Sequence, residues 1–186
     1  MPILNQSDVT KTRTNPSAGM LAILHGVYVL PNMFTPAECG KLIALKGQAH
    51  HDPDGGHADN KKPLLIPWAA RQIEPYVSKL SFADYRVHGV DPYMRLYKLV
   101  KGKGAVSQHK DRDYAGPYPS RALYSILVYL NNDYEGGETV FDGCAPAPHV
   151  EVGGGLLFKH DLLHEGLAVR SGTKHVLKTD LFVVLP

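Results

Sequence analysis

Three histidine–aspartate pairs in this sequence share one spacing, His-x-Asp: His50/Asp52, His57/Asp59 and His109/Asp111. On an extended backbone, residues two apart point to the same side, so an imidazole nitrogen and a carboxylate oxygen can meet at one ion. Spacing alone decides little. Ten histidines and twelve aspartates among 186 residues give about 0.65 such pairs by chance. The surroundings separate the three. His50/Asp52 and His57/Asp59 sit beside Pro53, Gly55 and Gly56, where nothing suggests a strand. A metal site of that loop's own is the lesser expectation, although the loop carries three histidines and three aspartates. His109/Asp111 instead follow a strand pattern that ends near Val106.

Two histidines and one carboxylate on one face are the donor set of non-haem iron(II) sites, so His109 and Asp111 need a second histidine. The stretch FKHDLLHEG places His164 just past a strand over Leu156 to Phe158. On chemistry alone His149, His160 and His175 are its rivals.

The elements that would position these residues are mostly strands. From Tyr93 onward the apolar period is two: MRLYKLV, LYSILVYLN, GGLLF and KHVLKTDLFVVL read as strands. No helical pattern separates them, which argues against βαβ units and for an antiparallel sandwich or barrel with helices outside. Upstream, Val27 to Leu30 is a short strand. Thr35, Pro36 and Glu38 make a capping box with proline in the first turn. The helix they start has Cys39, Leu42 and Ile43 as its stripe and stops at Gly47. Residues 68–83 carry a second helical pattern, with Trp68, Ile73, Val77 and Leu80 on one side and Pro75 bending or delaying it. His50 to Pro63 is a polar loop without periodicity.

Composition sets the outer limits. Apolar residues at 44% and charged residues at 20% describe a globular chain with a core of its own. We expect a flexible segment over 1–20 and one domain over 21–186, with helical support at 34–83 and the β core from about 93 to 186. The net charge of +2 gives no reason to expect a nucleic-acid partner; Lys98, Lys101 and Lys103 mark a solvated strand end. Cys39 and Cys144 form no Cys-x-x-Cys pair, so neither a disulfide scaffold nor a cysteine-based zinc site is expected. No signal-peptide pattern and no apolar run of membrane-spanning length are present; a cytoplasmic location is the expectation.

Taken in order, these pieces resemble the iron(II)- and 2-oxoglutarate-dependent dioxygenases, in particular their prolyl-4-hydroxylase-like branch. The matching stretches are RLY (Arg95 to Tyr97), HKD (His109 to Asp111), SRALYSILVYLN (Ser120 to Asn131) and EGGETVF (Glu135 to Phe141). VEVGGGLLF (Val150 to Phe158) and HEGLAVRSGTKHVLKTD (His164 to Asp180) complete the set, with ten residues from His164 to Lys174. The resemblance spans roughly residues 25–186.

The resemblance implies a mainly β fold with flanking helices around a double-stranded β-helix, the jelly-roll or cupin-like core. It implies that His109, Asp111 and His164 bind Fe(II), and that Lys174 pairs with the distal carboxylate of 2-oxoglutarate, helped by Tyr97. Ser125 stands where a cosubstrate-facing threonine is usual. Tyr97 lies twelve residues before His109, where the family has about nine, so extra chain must be accommodated in KLVKGKGAV. Lys174 also has a reading of its own: it sits in an apolar run, where a charge is costly unless paired. Arg170 is its rival, and a strand-edge lysine facing water is the plain alternative.

The reaction implied consumes O2 and releases succinate and CO2, with ascorbate as a candidate reductant. It hydroxylates an aliphatic C–H of a prolyl or peptidyl residue, a free amino acid or a related small molecule. The carboxylate at Asp111 favours hydroxylation or desaturation over the halogenation that a small residue there would allow. Arg95, Asp113, Tyr114, Tyr124 and Arg170 are candidates for the substrate side. Residues 50–67 and Trp68 are expected to close over the mouth. A non-catalytic metal-binding jelly-roll protein is the alternative.

Overall fold

The computed structural model describes residues 21–24, 26–46, 63–78, 80–82, 85–102, 105–142 and 148–184. The segment 1–20 and the loop with His50/Asp52 and His57/Asp59 lie outside the described residues, as does Cys144. Most of the lid expected over 50–67 lies outside them too.

Fourteen strands and two helices follow in the order β1 (Leu21–Leu24), β2 (Val27–Leu30), α1 (Pro36–Lys46), β3 (Leu64–Leu65), α2 (Pro67–Val77), β4 (Ser81–Phe82), β5 (Tyr85–Val90), β6 (Tyr93–Val100), β7 (Val106–His109), β8 (Tyr114–Ala115), β9 (Arg121–Tyr129), β10 (Tyr134–Gly136), β11 (Thr139–Phe141), β12 (Gly155–Lys159), β13 (His164–Gly166) and β14 (Val169–Val184). Every pairing is antiparallel. A large sheet runs β1-β2-β12-β9-β14-β5-β4, and β6 joins it along β14. A small sheet has the order β11-β13-β7. This is the mainly β, helix-flanked architecture of a double-stranded β-helix.

Alternation along the central strands divides the apolar side chains between two clusters. Tyr124, Ile126 and Val128 of β9 and Leu177 and Leu181 of β14 pack with Cys39, Leu42, Ile73 and Val77 of the helices. Tyr129, Leu156 and Phe158 meet Phe141 of the small sheet on the opposite side. The first cluster glues the helices to the outside of the large sheet; the second lies between the sheets and carries the site.

The start of α1 is the capping box read from its sequence. The Thr35 amide donates to the Glu38 carboxylate at 2.8 Å, and the Glu38 amide donates to the Thr35 hydroxyl at 3.3 Å. Burial pushes the Cys39 thiol up to about 11, with the nearby Glu38 charge adding to it, so this residue is an inert core group. The second helix is shorter than its sequence pattern, ending at Val77 rather than near 83. Pro75 sits in its last turn, where its missing N–H removes a backbone bond and favours an early stop, and Ser81–Phe82 pair with Tyr85 and Arg86 of β5. No helix among the described residues is long and apolar enough to cross a membrane.

One glycine fixes how α1 meets the sheet. The Phe34 amide donates to the Gly153 carbonyl at 2.9 Å. Gly153 has φ +80, and a Cβ there would come within 1.9 Å of the Phe34 carbonyl oxygen. Only glycine allows that approach.

Candidate active site

The small sheet brings the two histidines together by register. In the β13–β7 pair His164 lies directly opposite His109, and their ring centroids are 4.3 Å apart. Asp111 follows β7 by two residues. Its Oδ1 is 3.7 Å from His109 Nε2, and its Oδ2 is 3.9 Å from His164 Nε2. One donor atom from each of His109, Asp111 and His164 falls within 4.8 Å of the other two. Among the described residues no other group of this kind forms.

Both rings are held in the orientation that a metal site needs. His109 Nδ1 donates to the Ser107 carbonyl and His164 Nδ1 to the Leu162 carbonyl, each at 2.9 Å. A carbonyl only accepts, so the proton stays on Nδ1 and the Nε2 lone pair faces inward. Phe158 and Phe141 pack on the His164 ring at 4.7 and 5.9 Å between centroids. Desolvation lowers the His164 pKa and keeps the ring a neutral donor.

Asp111 is held at both oxygens. Lys178 Nζ donates to Oδ1 at 2.6 Å, and the Ser125 hydroxyl donates to Oδ2 at 2.5 Å. Burial pushes the Asp111 carboxyl up. The Lys178 charge and hydrogen bond, the Ser125 hydroxyl and His164 together outweigh it, and the group lies below the ordinary carboxylate value. Two imidazoles with Nε2 turned inward and one ionised carboxylate on a common face are a donor set that fits iron(II).

The triad opens on a cavity of ≈ 490 Å³ between the sheets, within the roughly 300–1,000 Å³ of small-molecule sites. Arg95, Tyr97 and Leu99 of β6 and Lys174, Val176 and Lys178 of β14 line its wall. The two strands run in register: Lys174 faces Leu99, Val176 faces Tyr97, and Lys178 faces Arg95. Tyr97 is therefore the diagonal neighbour of Lys174, within reach for long side chains. The phenol of Tyr97 is pushed up to about 12 by burial, against the nearby Arg95 charge.

Lys174 is 3% exposed. Its ammonium donates to the Gly137 carbonyl at 2.5 Å and lies 4.5 Å from the Tyr129 ring centroid. Among the described residues it is in no ion pair with a carboxylate; desolvation brings its pKa down to about 8, with the Glu138 charge opposing. A buried ammonium with one carbonyl and one aromatic face has hydrogens left for an anion. Gly136 and Gly137 are the expected tight turn, both at positive φ. Gly137 does more than turn, since its carbonyl holds the lysine.

The remaining predicted residues fall elsewhere. Ser125 does not line the cavity; it sits behind Asp111, fully buried, with Asp180 Oδ1 at 3.2 Å on its other side. Tyr124 faces the helices and stacks on Phe82 at 4.3 Å, so it belongs to the outer core and not to the substrate side. The Tyr114 hydroxyl is 2.6 Å from Asp91 Oδ2 and 3.0 Å from Asp180 Oδ2. Asp113 meets His160 at 3.2 Å. Arg170 is exposed and reaches Glu138 at 3.4 Å. Trp68 packs edge-on against Phe34 and borders a separate hollow with Glu38, Lys41 and Leu45. None of Tyr114, Asp113, Arg170 and Trp68 reaches the cavity. Of the rival ligands, His149 meets Glu151, His160 is clamped between Asp113 and Asp180, and neither they nor His175 joins the triad.

Lys178 is the functional residue that the sequence reading missed. The signal was present: counting by two from Lys174 puts Val176, Lys178 and Asp180 on the same face.

Solved structures of 2-oxoglutarate oxygenases share this fold. The viral collagen prolyl hydroxylase of Paramecium Bursaria Chlorella virus-1, in a truncated form, superposes with a TM-score of 0.61 at 19% identity, covering 85% of this chain and 90% of its own. The same hydroxylase as its 2OG complex gives 0.55 at 19%, covering 85% and 96%. A 2OG-Fe(II) oxygenase-family oxidoreductase from Burkholderia pseudomallei gives 0.52 at 14%, covering 84% of each chain. No protein-family model and no curated protein matches the sequence. The chain shares the fold of these viral and bacterial structures, and it carries a His-Asp-His triad.

Proposed function

We propose that this protein is an Fe(II)- and 2-oxoglutarate-dependent hydroxylase. It acts on an aliphatic C–H of a prolyl or peptidyl residue, a free amino acid or a related small molecule, with release of succinate and CO2. The carrying observation is Lys174, a buried ammonium in no ion pair among the described residues, on the wall of the cavity that the triad opens on. A bare metal scaffold has no use for it, which weighs against a non-catalytic binding protein.

His109, Asp111 and His164 would hold iron(II), leaving part of its coordination sphere open to the cavity. With 2-oxoglutarate and O2, such a centre supplies an oxidation in which one oxygen atom enters succinate and the other the substrate C–H bond. The rest falls to the chain. Lys174, with Tyr97 beside it, would bind and orient the distal carboxylate of the cosubstrate. Ser107 and Leu162 carbonyls hold the imidazole protons away from the metal. Lys178 and Ser125 fix the carboxylate. Phe158 and Phe141 keep water from one side of His164.

The test is anaerobic loading of the apo protein with Fe(II), then 2-oxoglutarate, watching for the weak visible charge-transfer band. Oxygen follows, with and without ascorbate, and succinate is measured against prolyl peptides and free amino acids. A band and substrate-stimulated succinate are expected. Metal uptake with neither band nor succinate would leave the non-catalytic alternative standing.

A further inference from the structure

The cavity wall holds more positive charge than the metal and the cosubstrate use. Arg95 and Lys178 are directly opposed across the β6–β14 ladder, and both side chains line the cavity. Like charges in opposed positions repel, and a half-buried site screens them poorly. Lys178 is relieved by Asp111 at 2.6 Å. Arg95 is in no ion pair among the described residues; its charge acts on the nearby phenol of Tyr97.

Charge counting sharpens this. The fixed cations on the wall are Arg95, Lys174 and Lys178, against the carboxylates of Asp111 and Glu165. A divalent metal and a doubly charged 2-oxoglutarate cancel each other. One positive charge is left, and among the described residues Arg95 is the wall cation that neither a carboxylate nor the cosubstrate would pair. Position separates it from the cosubstrate's distal carboxylate. Lys174 and Lys178 are four positions apart on β14, about 13 Å of strand, and Arg95 stands at the Lys178 end, beside the triad.

Resting on the reading proposed above, we infer that Arg95 binds a carboxylate of the organic substrate. The substrate is then an acid, such as a free amino acid, rather than a residue inside an uncharged peptide. The planar guanidinium suits this, since it offers a carboxylate two parallel hydrogen bonds.

The experiment uses zinc-loaded protein with 2-oxoglutarate, which cannot turn over. Each free L-amino acid and its carboxamide are titrated in by calorimetry, alongside end-blocked prolyl peptides with and without one acidic side chain. Binding of at least one free acid is expected, with its carboxamide weaker by roughly 30-fold or more. Arg95→Met should remove that difference, Arg95→Lys restore part of it, and 2-oxoglutarate should bind all three proteins equally. If acidic peptides alone show the difference, the carboxylate belongs to a peptide side chain and the free-acid assignment is overturned. Equal binding of acid and amide, binding of neither, or a loss in Arg95→Met confined to 2-oxoglutarate overturns the role of Arg95. Failure of the wild type to bind 2-oxoglutarate would instead sink the proposed function, and the acid–amide comparison on metal-loaded protein would still report on Arg95.

Discussion

Lys178 Nζ and Asp111 Oδ1 are joined at 2.6 Å, and both side chains are largely buried. The ammonium neutralises the carboxylate whenever the triad is without metal. Removing it leaves an uncompensated charge beside two imidazoles, which a divalent cation would then relieve. Breaking a fully buried pair costs about 3–5 kcal/mol; some exposure of both partners brings this nearer 2. Lys178→Met should therefore lower the metal-free Tm by roughly 4–8 °C and leave the metal-loaded Tm close to wild type. Thermal unfolding with and without zinc or Fe(II) reads the difference. Equal metal-induced shifts in both proteins would show that Asp111 does not bind the ion.

Ser125 acts on the opposite oxygen of the same carboxylate. Its hydroxyl holds Oδ2 at 2.5 Å without touching the cavity. Losing such an outer partner of a metal ligand weakens metal binding by about 10–100-fold. Ser125→Ala is expected to show that loss in a competitive chelator titration, while 2-oxoglutarate affinity at saturating metal stays unchanged. A selective loss of 2-oxoglutarate affinity would instead restore the cosubstrate-facing role that its place in the sequence suggested.

Gly137 joins backbone geometry to the cosubstrate side. It has φ +68, and an added Cβ would meet Lys174 Cδ at 3.1 Å and Val169 Cγ2 at 3.1 Å. Gly137→Ala must strain the turn by about 1–2 kcal/mol and push the lysine aside. The expected result is a Tm lower by a few degrees together with weaker 2-oxoglutarate binding and unchanged metal affinity. If the Tm falls while cosubstrate affinity holds, the lysine does not bind the diacid.

The parts readable in advance were those encoded locally. Thr35 and Glu38 announce a helix start because both halves of the capping box lie three residues apart. His109 and Asp111 share a strand end, and His164 was placed by its own strand and by the order of the motifs. The misplacements have separate physical origins. The β9 strand is apolar on both faces, because one packs on helices and the other lies between the sheets, so alternation no longer says which side is which. That is why Tyr124 was expected on the substrate side; Ser125 was placed at the cosubstrate by the resemblance, and alternation could not test it. Asp113 and Tyr114 follow the triad closely in sequence. There the chain turns to pair β8 with β9, and their polar atoms meet His160, Asp91 and Asp180 instead. The Asp111–Lys178 pair spans 67 residues, a relation that no local pattern carries.

Lys174 should impose a pH profile on cosubstrate binding. Burial brings its ammonium from 10.5 down to about 8, with the Glu138 charge pulling the other way. Among the described residues the groups acting on it are the Gly137 carbonyl, the rings of Tyr129 and Tyr134, and the Glu138 carboxylate. Below that value the free protein already carries the proton that a dicarboxylate needs, so affinity should not change with pH. Above it the proton must be taken up on binding, and the apparent Kd should rise by up to roughly tenfold per pH unit. Folding follows the opposite sense. A lysine whose folded pKa lies below its unfolded value opposes folding while charged; the penalty is complete below about pH 8 and shrinks as pH climbs towards 10.5. Lys174→Met removes both effects. Its 2-oxoglutarate affinity should be about 30-fold weaker or more, flat with pH, while its metal affinity is retained and its Tm at neutral pH is no lower than wild type. Calorimetric titrations of zinc-loaded protein from about pH 7 to 9.5 test this. A wild-type profile that stays flat through that range, or a variant that keeps its affinity, would transfer the carboxylate to another residue of the wall.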